Sequence, residues 1–233
     1  MVTDLPRIIS GVPHIVDYLK GMWPPNLGIL TDLWKPLLET IQIAIVGTTL
    51  AATISVPISF LSAKNTSPNL IIYLSVRGIV NTLRAIPTLL WAILFVAMVG
   101  LGPLAGVFAI VCHSVGALGK YMSESVEAIG PDINEVLESM RTEGASEIQL
   151  IWYGLLPSLM PLYSSYILYY LEGNIREATI LGLVGAGGIG LMLTQTIRMF
   201  KRHETLTVVL VILAVVLLAD ALSRQIRRRL IDE

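Results

Sequence analysis

Charge is what this chain has least of. Asp, Glu, Lys and Arg make up 14% of its 233 residues, where a soluble domain carries about 25%. Hydrophobic residues reach 54% and mean hydropathy is +0.73, a combination that points to a bilayer rather than a soluble core. Cysteine is nearly absent. The single Cys112 lies inside an apolar run, which excludes an internal disulfide and a cysteine-rich metal site; it reads as a small packing residue. The net charge of −1 singles out no partner and gives no ground for nucleic-acid binding. The N-terminus also lacks the apolar core of a cleavable signal. Ile8, Ile9, Val12, Ile15 and Leu19 instead suggest a short amphipathic segment on the membrane surface, interrupted by Pro13, with Tyr18 and Trp23 suited to the interface.

What is present is a set of long apolar runs. A crossing helix needs about 20 mostly apolar residues. Residues 40–61 carry no charge and form a first span. Residues 85–119 carry no Asp, Glu, Lys or Arg and are too long for one span. They are read as a helical hairpin, roughly 71–99 and 104–127, turning at Gly100-Leu101-Gly102-Pro103. Further spans are expected at about 155–180 and 205–223. Five spans place the two ends of the chain on opposite sides. The tail SRQIRRRLIDE has four arginines, so it is expected in the cytoplasm and the N-terminus outside. Arg198, Lys201 and Arg202 then fall on the outer side, against the charge bias.

Several ionisable groups sit inside these spans: Arg77, Arg84, His113, Lys120, Glu124, Glu172, Arg176 and Glu177. Each costs at least about 2.5 kcal/mol at a bilayer centre, so each should face protein or a watery path. His113 and Lys120 are seven residues apart, on one helix face. With Arg84 they suggest donors lining an anion path, with Asn174 and Arg176 as further candidates. The alternatives are snorkelling at the headgroups and internal pairing, as for Glu172 with Arg176 at i,i+4.

Between the third and fourth spans, at about 128–157, lies a charged stretch with its own pattern. Pro131-Asp132 starts a helix, with Asp132 in position to cap or sit in the first turn. Ile133, Val136, Leu137 and Met140 give that helix an apolar stripe. Gly144 interrupts it and Ala145-Ser146-Glu147 begins a second short helix. A helix–glycine–helix elbow of this kind fits a partner's groove, or is an ordinary amphipathic loop.

LVGAGGIG, residues 183–190, carries glycines 185, 187 and 190 as G-x-G-x-x-G, with Glu204 placed where a ribose-binding acid would follow. The context opposes a nicotinamide enzyme. RMFKRH cannot form the buried second strand, an apolar run follows at 205–219, and no further βαβ unit appears. Between two spans these glycines permit close helix approach and a sharp bend. A secondary transporter or channel would favour an inverted repeat, and none is found.

Glu138-Ser139-Met140, Gly144 and Leu156-Pro157 match the spacing of the EAA loop of ABC-importer permeases. Ser139 and Met140 stand for the two alanines of that motif, and Gly154 for its isoleucine. Arg84-Ala85-Ile86-Pro87, GLGPLAG (100–106), HSVGALGK (113–120), EGASEIQLIWYGLLP (143–157), EGNIREATILGLVGAGGIG (172–190) and Asp220 before the Arg-rich end resemble, more narrowly, phosphonate-type ABC permeases. The likeness runs from about residue 37 to the C-terminus. It departs from many members at Ser158, where they have Gln. Many members also begin with one more N-terminal span, whose counterpart is not found here, in keeping with five spans.

The resemblance implies an all-α polytopic membrane protein of the type I importer (MetI-like) fold in a prokaryotic inner membrane. Its expected parts are an external or interfacial segment at 1–36, a permease domain at 37–223 and a cytoplasmic tail at 224–233. The implied function is import of a phosphonate or related phosphorus oxyanion, or, alternatively, of another small oxyanion or solute. Implied partners are a second permease copy, two ATPase subunits holding ATP and Mg, an external substrate-binding protein and lipid. The chain itself would bind no cofactor or metal and catalyse nothing. Glu138, Ser139, Met140, Arg141, Gly144, Ala145, Leu156 and Pro157 would couple to the ATPase. Gly185, Ala186, Gly187, Gly188 and Gly190 would belong to an outer gate.

Overall fold

The computed structural model describes residues 5–231; the side chains of 5–12, 131, 132, 134 and 227–231 lie outside that description. The expected roles of Ile8, Ile9, Val12, Asp132 and the last three arginines of the tail therefore fall outside the described residues. In chain order the helices are α1 (Leu5–Lys20), α2 (Leu30–Leu61), α3 (Leu70–Ala85), α4 (Thr88–Val99), α5 (Pro103–Glu127), α6 (Pro131–Thr142), α7 (Glu147–Gln149), α8 (Leu156–Leu181), α9 (Ile189–Arg198) and α10 (Arg202–Ile231). A π-helical segment, Leu150–Leu155, joins α7 to α8. No strand occurs among the described residues, so the strand-dependent nicotinamide reading has no scaffold.

Three stretches are long and apolar enough to cross a bilayer unbroken: Leu27–Leu61, Pro103–Glu127 and Arg202–Ile226. Two bent pairs, α3 with α4 at 91° and the segment around α8 with α9 at 42°, make the number up to five where each pair counts as one span. The single helix expected over 71–99 is thus corrected to two. Pro87 explains the break: it lacks an N–H and pushes the residue before it out of the α region, and Ile86 is extended at φ −85°, ψ 121°. The carbonyls freed at such a break need partners in lipid. Trp91 Nε1 donates to the Leu83 carbonyl at 3.3 Å, and His113 Nδ1 lies 3.2 Å from that of Ile86. The expected boundaries at 36/37 and 223/224 fall inside α2 and α10.

The bundle is built on α2, α5 and α8, with small residues wherever backbones approach. A Cβ at Gly47 would stand 2.7 Å from Ile110, and one at Gly116 would strike the Arg84 and Leu83 backbone. Ala44, Ala51, Ala105, Ala109 and Ala117 are buried beside them. Without a hydrophobic drive between helices in lipid, this close packing is what holds them together. α10 lies at the rim, with 17% of its apolar window buried in the molecule; that leaves most of it for lipid or another subunit.

α5 sets the two ends of the molecule about 37 Å apart at 1.5 Å per residue. At its Pro103 end lie the turn before it and the 182–188 glycines, joined by a Gly102 N–H to Gly185 carbonyl bond of 3.0 Å. At its Glu127 end lie the α2–α3 loop and α6–α7. Here Asn65 donates to the Val126 carbonyl at 2.7 Å, Lys64 N–H donates to Glu127 at 2.9 Å, and Arg77 pairs with Glu127.

Candidate functional site

The elbow expected at Gly144 is present and its geometry is explicit. Gly144 has φ +90°. Its N–H donates to the Arg141 carbonyl and the Ala145 N–H to that of Met140, both at 3.0 Å. That pair of bonds is a Schellman C-cap, which asks for a left-handed residue. Ser146 then starts α7 with a reciprocal capping box to Gln149. The stripe on α6 splits. Ile133 and Leu137 pack on a core containing Met122, Val126 and Leu155, whereas Val136 is exposed. Gly154, which departs from the isoleucine of the motif, has a local reason: a Cβ there would meet Leu137 at 2.6 Å and Met140 at 3.4 Å. Arg141 pairs with Glu147 at 3.3 Å. Together with Glu138, Asn65 and Leu137 they line a cavity of about 230 Å³ on this end of the molecule.

The glycine turn at the other end is a second Schellman cap, with Gly185 left-handed, its N–H on the Gly182 carbonyl at 3.1 Å and the Ala186 N–H on that of Leu181 at 3.2 Å. Gly187 lies against Glu39 and Pro103, Gly188 against Thr40, and Gly190 against the Thr179 carbonyl and Gly182. Ala186 is buried. The glycines thus serve helix approach, as expected from their context. Thr40 was not legible as part of this turn. Its hydroxyl accepts the Ile189 N–H at 2.8 Å and donates to the Pro36 carbonyl at 3.0 Å, capping α9 from another helix.

The candidate path residues do not form one stripe. Arg84 ends α3, exposed, with its guanidinium 5.9 Å from the Tyr121 ring centroid. Lys120 pairs with Glu124 at 2.8 Å. Arg176 pairs with Glu172 at 3.5 Å, the internal pairing weighed for them. His113, Glu172, Gly173, Arg176 and Glu177 line a cavity of about 210 Å³ between α5 and α8, with Tyr169 and Tyr170. Because a carbonyl can only accept, the 3.2 Å contact with Ile86 puts a proton on His113 Nδ1.

Asn174 borders the same cavity but is buried, and its amide faces the bundle. Nδ2 donates to Thr48 Oγ1 at 2.8 Å and to Ser114 at 3.0 Å, tying α8 to α2 and α5. Truncating one member of a buried hydrogen-bonded set costs about 1–3 kcal/mol. Asn174→Ala is therefore expected to lower the melting temperature of the purified protein by several degrees. Melting unchanged from wild type would return Asn174 to the path.

With this geometry in place, the chain can be set beside known proteins. Residues 55–232 match the model of the binding-protein-dependent transport system inner membrane component. The chain belongs to that family. Over 225 residues the permease is 35% identical to the phosphite transport system permease protein PtxC of Stutzerimonas stutzeri, covering 97% of this chain and 81% of that protein. It is 36% identical over 227 residues to the phosphate-import permease protein PhnE of Mycolicibacterium smegmatis, covering 97% of this chain and 42% of that longer protein. An inward-facing structure of the MetNI methionine ABC transporter shares the fold, with a TM-score of 0.75 and 20% identity over 88% of this chain and 99% of that one. The permease is the membrane subunit of an ABC importer: multi-pass in the inner membrane, partnered by ATPase and binding protein, and not itself catalytic.

Proposed function

We propose that this permease carries a phosphorus oxyanion, phosphite or a phosphonate, inward across the membrane as one of two identical copies. Two ATPase subunits hold ATP and Mg²⁺, and an external binding protein delivers the substrate. The observation that carries this reading is identity of 35% spread over 97% of the chain with a phosphite permease. The α6–α7 elbow, with Glu138, Ser139, Met140, Arg141, Gly144 and Ala145, is the docking element, and Leu156-Pro157 start the span that it moves. This end faces the cytoplasm with the C-terminal tail, and the N-terminal segment lies outside. Closure of the ATPases draws the elbows together and rocks the spans, alternating access to a central path. Arg84, His113, Lys120 and Arg176 line that path, with Asn174 positioning α8 behind it. Gly185, Ala186, Gly187, Gly188 and Gly190 shape the outer gate. The working units are an interfacial segment to residue 36, the permease domain at 37–223 and the basic tail.

The test is uptake by the complete transporter in proteoliposomes, with its binding protein loaded in turn with phosphite, methylphosphonate, phosphate and sulfate. ATP-dependent uptake of phosphite or methylphosphonate above sulfate is expected. Uptake of sulfate alone, or of none of the four, overturns the substrate.

A further inference from the structure

The groove between α5 and α8 holds two cavities, and tyrosines line both. The first, about 210 Å³, is the one lined by His113, Tyr169, Tyr170 and Glu177. The second, about 470 Å³, lies toward the coupling elbow and is lined by Tyr121, Glu124, Tyr166 and Ile133 of α6. Tyr121 bridges the rings, with centroids 5.9 Å from Tyr166 and 6.1 Å from Tyr170, and Tyr169 meets Tyr170 edge-on at 5.7 Å. On α8, positions 166, 170, 173 and 177 share one face, opposite 125, 121 and 113 of α5.

The cations here are already engaged. Lys120 is held by Glu124, Arg176 by Glu172, Arg84 lies over Tyr121, and His113 faces the Ile86 carbonyl. With carboxylates alongside, the groove offers little net positive charge. What it adds is phenol hydroxyls, neutral groups that both donate and accept, so that one already sharing a bond, as Tyr166 does with Ser125, can turn its proton to a passing oxygen. Weak neutral donors suit a path that must release its cargo.

We propose that Tyr121, Tyr166, Tyr169 and Tyr170 form a hydroxyl-lined constriction that hands a tetrahedral oxyanion from the upper cavity to the lower. This rests on the importer reading above. The constriction is connected to the engine: Ile133 of α6 lines the lower cavity, and Tyr166 reaches Ser125 of α5 at 3.1 Å. Movement of the elbow therefore reshapes the cavity beneath the rings.

The experiment counts oxyanions carried per ATP hydrolysed by the complete transporter in proteoliposomes, using phosphite-loaded binding protein. Tyr170→Phe and Tyr121→Phe keep the ring packing and remove one hydroxyl each. Each is expected to lower the ratio by about fivefold, the scale of one lost hydrogen bond. The concentration of loaded binding protein giving half-maximal uptake should stay constant. Tyr73→Phe, outside the groove, should keep the wild-type ratio. Wild-type ratios in both Tyr170→Phe and Tyr121→Phe overturn the constriction and leave the importer standing. A wild-type protein that hydrolyses ATP while taking up neither phosphite nor methylphosphonate overturns the phosphorus-oxyanion reading and the constriction with it.

Discussion

Replacing Gly144 by valine is expected to cut the ATPase stimulation produced by loaded binding protein at least ~10-fold. The cause is conformational rather than steric, because a Cβ at Gly144 would meet nothing within 4 Å. At φ +90° a β-branched residue is strained by roughly 1–2 kcal/mol, and relaxing it means giving up the bonds to Arg141 and Met140 that end α6. The angle between α6 and α7 would then be lost, and with it the shape offered to the ATPase. Gly144→Asn separates this from a general effect of adding a side chain, since asparagine tolerates the left-handed region; it should keep most of the stimulation. ATP hydrolysis by the assembled complex, with and without loaded binding protein, reads both variants. Full stimulation in Gly144→Val would remove the elbow from the coupling step.

Gly144 also shows which features a sequence discloses. Its elbow was legible because its signals are local: an amphipathic stripe, a glycine and the helix start at Ala145-Ser146-Glu147 stand within a few residues. The apolar crossing segments were legible because run length and missing charge are local too. The bend at Ile86-Pro87 was within reach, since proline restricts its predecessor. It was missed because the apolar run continues across it and hydropathy does not register a 91° turn. Thr40 could not have been found. Its bond to Ile189 spans 149 residues, and a lone threonine in an apolar helix more often bonds its own i−4 carbonyl, which Thr40 also does. The surroundings of the candidate path residues were legible only in part. Spacing placed His113 and Lys120 on one face of α5, and the i,i+4 pairs Lys120–Glu124 and Arg176–Glu172 are local, whereas the Ile86 carbonyl that meets His113 lies 27 residues away in sequence. The tyrosines carried no charge to draw attention, and their cluster exists only once α8 packs antiparallel to α5.

The glycine turn allows the second large expectation. Gly190→Ala should leave little correctly folded permease, because its Cβ would fall on the Thr179 carbonyl and within 3.0 Å of Gly182. Both are backbone, so no side chain can rotate out of the way. Gly182 is the reciprocal half of the contact, with the Gly190 Cα and Leu191 N each 2.6 Å from a Cβ placed there. Overpacking usually costs about 1–3 kcal/mol. Here the upper end applies, since α8 and α9 would have to separate at the 42° bend. For a protein of this size that is a fall in melting temperature of about 10 °C. Gly78→Ala, with nothing within 4 Å of the added Cβ, should instead be neutral or stabilising by up to ~1 kcal/mol, as alanine is in a helix interior. Melting of the purified protein in detergent, together with the monodisperse fraction recovered from membranes, measures the contrast. Wild-type melting in Gly190→Ala would mean that α9 separates from α8 at no cost. The bend would then be a hinge, and the glycines would serve motion at that end rather than hold it closed.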